Sequence, residues 1–113
     1  MQSNLDRSFA ALADPTRRRV IDLLRKKPLY SSEIADALSV SRPAMSRHLR
    51  VLRKSGLVSE EVQEHDARLR MYQLRPEPFS GLRSWLDEVA RFWEDQLGAF
   101  KAHAERKHGK RRA

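Results

Sequence analysis

Cysteine is absent from the chain, which excludes a disulfide framework, a thiolate metal site, a cysteine nucleophile and thiol-based redox sensing. Glycine is scarce, with four in all, and none forms the Gly-rich loop that cradles a phosphate. No stretch approaches the ~18 consecutive apolar residues of a membrane span, and the start, MQSNLDRSFAALADP, holds no uninterrupted apolar run of the signal-peptide type. A cytoplasmic protein with no membrane partner is expected. The four histidines are scattered without carboxylate partners at recognisable spacing, and no nucleophile motif occurs. No catalytic residue, metal site or cofactor is therefore assigned, and an enzyme is not expected.

What the chain has in abundance is positive charge. Its formal charge is +8 over 113 residues, with an isoelectric point near 10.6 and a mean hydropathy of −0.71. Polyanions are the expected partners of such a protein, nucleic acid before acidic membranes. The charge is unevenly placed: residues 1–56 carry twelve basic against five acidic side chains, residues 57–105 six against ten, and residues 106–113 five against none. That asymmetry points to a directed basic face rather than diffuse solubilising charge. The length suits one domain with a single modest core. Residues 1–105 are assigned to it, and residues 106–113, RKHGKRRA, which lack an apolar anchor, to a disordered basic tail.

Hydrophobic spacing predicts a mainly α fold with a small β-hairpin. Leu5, Phe9 and Leu12 mark a first helix that stops before Asp14-Pro15. Asp14 then caps a second helix, with Pro15 in its first position and Val20, Leu23 and Leu24 turned inward, until Pro28 ends it. Ser31 and Ser32 are candidate caps of a short third helix that buries Ile34, Ala35 and Leu38. Ser41 caps a fourth helix over 42–54, with Pro43 early, Met45, Leu49 and Leu52 inward, and Lys54 then Gly56 at its end. From Leu57 the period becomes two, Val58, Glu60 and Val62 answering Arg70, Tyr72 and Leu74, and a hairpin is expected over 57–75. A long last helix from about Phe79 towards His103 carries a stripe wide enough to bury two faces.

The third and fourth helices, joined by about three residues, have helix-turn-helix spacing, in which the second helix enters the major groove. With its apolar residues inward, that helix presents Arg42, Pro43, Ser46, Arg47 and Arg50 outward, with no acid among them. Arginine can bridge guanine O6 and N7, so Arg42 and Arg47 are expected at base edges, with Ser46 beside them. Arg50, Arg53 and Lys54, and the hydroxyls and amides of Ser31, Ser32 and Ser41, suit phosphate. His48, between the two faces, suits packing or a phosphate contact. Arg68 and Arg70 lie near the hairpin tip, where a wing reaches the neighbouring minor groove, although strand parity puts Arg70 on the side of Tyr72 and Leu74. Arg17, Arg18 and Arg19 either approach DNA or pair with Asp14 and Asp22. A sequence-independent DNA-binding protein and a winged helix used to dock proteins are the competing readings.

The runs ALADPTRRRVIDLL, SSEIADAL and SVSRPAMSRHLRVLRKSGLV, and a hairpin closing in MYQLRPEPF, resemble the ArsR/SmtB family of winged helix-turn-helix regulators over residues 5–105. The segment PEPFSGLRSWLDEVARFWEDQL is similar to the last helix of a branch of that family not defined by metal binding. The resemblance implies a cytoplasmic homodimer, joined through helices 1 and 5, that sits on an inverted-repeat operator in double-stranded DNA and represses transcription. Leu5, Phe9 and Leu12 of the first helix, and Trp85, Val89, Phe92, Trp93, Leu97 and Phe100 of the last, are the interface residues this implies. Metal-sensing members carry cysteines on the third helix, or Asp/His and His/Glu pairs on the last. Here SSEIADAL has no thiol, Asp87 and His103 fall outside the pairing pattern, and His103 and His108 are five apart. Metal sensing is not expected, and no residue pattern specifies a small-molecule effector.

Overall fold

The computed structural model describes residues 3–112, apart from the side chains of Ala67 and of residues 108–112. The elements are α1 (Asn4–Leu12), α2 (Pro15–Leu24), β1 (Leu29–Tyr30), α3 (Ser31–Leu38), α4 (Arg42–Lys54), β2 (Val58–Gln63), β3 (Asp66–Leu74) and α5 (Pro76–Arg112). Met1–Gly81 forms one compact unit and Leu82–Ala113, the remainder of α5, a second.

Local chemistry accounts for the helix ends of the first unit. Asp14 accepts the Arg17 N–H at 3.0 Å and opens α2, and Ser41 accepts the Ala44 N–H at 3.3 Å and opens α4. α2 ends at Leu24, ahead of the expected stop at Pro28. The cap of α3 also differs from expectation: Ser31 and Ser32 are its first two residues and Tyr30 is the cap. Glu33 reaches back to accept the Tyr30 N–H at 2.9 Å, because pairing of β1 keeps Leu29–Tyr30 extended up to the helix start. Ser39 closes α3 in the left-handed region at φ 53°, and the Val40 N–H returns to the Ala35 carbonyl at 3.0 Å. Gly56 at φ 80° performs the same turn after α4, where the Leu57 N–H meets the Leu52 carbonyl at 3.0 Å.

The strands make one antiparallel sheet in the order β1-β3-β2. β1, too short to register in the sequence pattern, pairs Leu29 with Tyr72 and Tyr30 with Met71. In the hairpin Val58 faces Leu74, Glu60 faces Tyr72 and Val62 faces Arg70, the alternation expected. A register shift follows Val62, and only Glu64 and His65 separate the two strands at the tip.

The core of this unit is formed by Val20, Ile34, Met45, Leu49, Leu52, Leu57 and Val58, with Ala11, Ile21, Leu24, Ala35 and Tyr72 around them. Burying each large side chain contributes about 1.5–3 kcal/mol. α1 enters this core through its small residues: Ser8 and Ala11 are buried, and the Ser8 hydroxyl is satisfied by the Asn4 carbonyl at 3.1 Å. Leu12 packs against the core as well, while Phe9 is exposed. α1 has no basic residue in its last turn, and two arginines of α2 serve its carbonyls instead. Arg17 Nε donates to the Ala11 carbonyl at 2.6 Å, and Arg18 Nη1 to those of Leu12 and Ala13 at 2.7 and 3.1 Å.

In the second unit α5 presents Leu86, Phe92, Trp93, Leu97 and Phe100, all more than half exposed. Phe92 and Trp93 meet edge to face with centroids 5.6 Å apart. The helix begins at Pro76 rather than near Phe79, since proline is acceptable in a first turn. It extends to Arg112, over most of the stretch whose composition predicts a disordered tail. No helix among the described residues is long and apolar enough to cross a membrane.

Candidate nucleic-acid interface

α4 is the element on which the candidate site depends. Its inward residues Met45, Leu49 and Leu52 are anchored in the core, which fixes the rotation of the helix. Arg42, Pro43, Ser46, Arg47, Arg50 and Lys54 are consequently exposed. Among the described residues Arg42, Arg47, Arg50 and Lys54 make no ion pair. Four exposed cations on one helix, none of them neutralised by an ion pair among the described residues, are available to a polyanion. Ser41 is committed to its cap.

The outer surface of α4 has two sides. Arg42 and Ser46 turn towards the wing and line a cleft of about 430 Å³ that also takes in Ser31, Ser32, Arg68 and Arg70. Six residues separately expected to contact DNA are thus brought together by tertiary packing. Arg47 and Arg50 lie outside the cleft, facing solvent, as helical geometry requires. Tyr30 and Asp66 also line the cleft and were not anticipated, Tyr30 because its strand is two residues long.

The wing cations are not equivalent. Arg68 is bound by Asp66 through Nε–Oδ1 at 3.2 Å and Nη2–Oδ2 at 3.3 Å, yet its side chain remains 91% exposed at the tip. The Arg68 side chain and then its backbone N–H hold the Asp66 carboxyl below the usual carboxylate range. Arg70 stays partly exposed but donates to Glu60 Oε1 at 3.1 Å. The same oxygen pairs with Arg53 of α4 at 2.5 Å, and Oε2 accepts the Tyr72 hydroxyl at 2.7 Å. Burial of Glu60 disfavours its charge, but the Tyr72 hydroxyl and the two guanidiniums outweigh that and hold its carboxyl below the ordinary range. Burial, then the bond to Glu60, pushes the Tyr72 phenol up to about 12. The signal in the sequence was a lone carboxylate in the row Val58, Glu60, Val62.

On the opposite flank of α4, His48 is half-buried with Nδ1 3.4 Å from Arg17 Nη1, so it faces α2. Arg17 and Arg18 are engaged with α1 and Asp22 pairs with Arg25 at 3.4 Å; Arg18 and Arg19 are both exposed, and Arg19 makes no ion pair among the described residues. The backbone N–H of Arg17, more than any side-chain charge, holds the Asp14 carboxyl low. No group of three or more His, Cys, Asp or Glu able to hold a metal occurs among the described residues. His108 lies outside the described side chains.

Residues 14–60 match the family model described as bacterial regulatory protein, arsR family. The HTH-type transcriptional regulator Rv2034 of Mycobacterium tuberculosis is 42% identical over 95 residues, 84% of this chain and 83% of that protein. The transcriptional repressor SdpR of Bacillus subtilis is 36% identical over 52 residues, 46% of this chain and 58% of that protein. Among solved structures, a crystal structure of an ArsR family transcriptional regulator matches with a TM-score of 0.73 at 35% identity, over 81% of this chain and 98% of that one.

Proposed function

We propose that this chain, which belongs to the ArsR family of bacterial regulatory proteins and is a transcriptional regulator rather than an enzyme, works as a cytoplasmic homodimeric repressor on an inverted-repeat operator. The observation that carries the reading is the outer surface of α4, where Arg42, Arg47, Arg50 and Lys54 stand exposed and unpaired beside a cleft shared with the wing. Arg47 and Arg42 read base edges in the major groove. Arg50, Lys54 and the start of α3 at Ser31 and Ser32 hold phosphates, and Arg68 reaches the minor groove from the wing tip. SdpR is a transcriptional repressor, which supports the sign of regulation.

The apolar side chains that α5 leaves to solvent support the dimer. Leu86, Phe92, Trp93, Leu97 and Phe100 are all exposed on α5, and so many large apolar side chains left to solvent on one helix favour a partner surface. A second copy is the occupant we assign to it, and we assign Leu5 and Phe9 of α1 to dimer contacts as well. Two-fold symmetry then sets the two recognition helices about one DNA turn apart.

The deciding experiment is a titration of the protein against its own upstream DNA and against scrambled DNA of equal length at several salt concentrations. A large preference for the upstream fragment is expected. Equal, steeply salt-dependent affinity for both would favour sequence-independent binding, a reading to which the five basic residues of 106–113 lend weight. Binding to neither would favour a protein-docking role, which the acid-free, arginine-rich outer face of α4 argues against.

A further inference from the structure

Glu60 is a carboxylate that a DNA-binding surface has electrostatic reason to avoid. It sits where the recognition helix meets the wing, and it binds one arginine from each: Arg53 in the last turn of α4 and Arg70 on β3. Its side chain is 17% exposed, while those of Arg53 and Arg70 are 42% and 46% exposed, so both guanidiniums remain near the surface. Its second oxygen is fixed by the hydroxyl of Tyr72, a residue of the buried core. A neutral acceptor would satisfy that hydroxyl; the negative charge is needed only for the two arginines. Freed, those arginines would be phosphate ligands at the junction of helix and wing, and phosphate contacts add affinity for every sequence alike.

Resting on the DNA-binding reading above, we propose that Glu60 is a specificity-determining positioning residue: it locks the wing to the end of α4 and withholds Arg53 and Arg70 from the phosphate backbone. Sequence-independent attraction is thereby lowered, and the cations left to bind are those whose placement is fixed by α4 and the wing tip.

The test compares the full-length wild type, Glu60→Gln, Glu60→Asp and the double variant Arg53→Gln/Arg70→Gln on upstream and scrambled duplexes across a salt series, with thermal melting to verify folding. For Glu60→Gln the plot of log affinity against log salt should steepen by ~0.9 per released arginine, up to about 1.8 per bound protomer. Affinity for scrambled DNA at low salt should rise about tenfold or more, and the upstream-to-scrambled ratio should fall. Glu60→Asp should stay nearer the wild type, and the double variant should keep the wild-type slope. An unchanged slope in folded Glu60→Gln overturns the proposal, as does a shallower slope in the double variant. If Glu60→Gln does not fold, the double variant decides alone. Wild type that prefers the upstream fragment, with Glu60→Gln unaltered, refutes this role of Glu60 and leaves the DNA-binding reading standing. Wild type that binds neither duplex removes both.

Discussion

Arg17 offers a direct contest between two readings of the triplet Arg17-Arg18-Arg19, and Arg17→Ala separates them. In the structure its guanidinium completes the C-terminus of α1, with Nε 2.6 Å from the Ala11 carbonyl and Nη2 3.3 Å from that of Ala10. A hydrogen bond to a charged group is worth ~1.5–3 kcal/mol net. The partly buried Ala11 bond should account for most of the effect, and the exposed one to Ala10 for little, so a loss of about 2 kcal/mol is expected. At ~4–8 °C per kcal/mol for a domain of this size, the melting temperature should drop by about 10 °C when protomer concentration is held fixed. The salt dependence of DNA binding, measured where the variant is still folded, should not change. Arg50→Ala should do the reverse, leaving the melting temperature within ~1 °C and making the salt slope shallower by ~0.9 per protomer. An Arg17→Ala protein that melts like the wild type but shows the shallower slope would refute the capping role and place Arg17 on DNA.

Arg47→Ala should weaken operator binding by ~1–3 kcal/mol per half-site and relax the preference at one base position in each; an equal loss on all sequences would make Arg47 a phosphate contact. Trp93→Arg puts a charge among the exposed apolar side chains of α5 and should give a monomer with much weaker operator affinity, so an unchanged dimer in analytical ultracentrifugation would count against that interface. The alkaline limb of stability should report Tyr72. Its phenol is raised from 10.0 to about 12 in the folded state, so the folded protein keeps a proton that the unfolded chain has released. The resulting stabilisation is complete below about pH 10 and is lost as pH rises towards 12. Denaturant midpoints should fall across that window, and less so in Tyr72→Phe; parallel profiles would show that the phenol is not the group responsible.

Much of this architecture is written in local pattern. Asp14-Pro15 and Ser41 open helices because a carboxylate or hydroxyl just before an apolar-periodic run has free N–H groups to accept, wherever the rest of the chain lies. The inward residues of α4 follow from a period of 3.6 and the alternation of Val58, Glu60 and Val62 from a period of two, whereas the register that pairs Glu60 with Tyr72 depends on the length of the hairpin tip. The acid-free face of Arg42, Arg47 and Arg50 is equally local, since three residues inward leave the opposite side outward.

What the linear order does not contain is which side chains meet across elements. The pattern leaves Arg17 and Arg18 open between DNA and the carboxylates of Asp14 and Asp22, and it is their distances to the end of α1 that engage them there, because a helix without a basic last turn leaves carbonyls that nearby guanidiniums satisfy. β1 is too short for any periodicity, and it exists because β3 offers it hydrogen bonds; that pairing also moved the cap of α3 to Tyr30. Ser31, Ser32, Arg42, Ser46, Arg68 and Arg70, spread over forty positions of the sequence, share one cleft only after the wing folds against α3 and α4. Local periodicity and composition were enough for the helices, the hairpin and the sign of the charge they present. The tertiary structure decided which cations remain available and which are bound, since an arginine's partner is set by distances of a few ångströms between segments far apart in the chain.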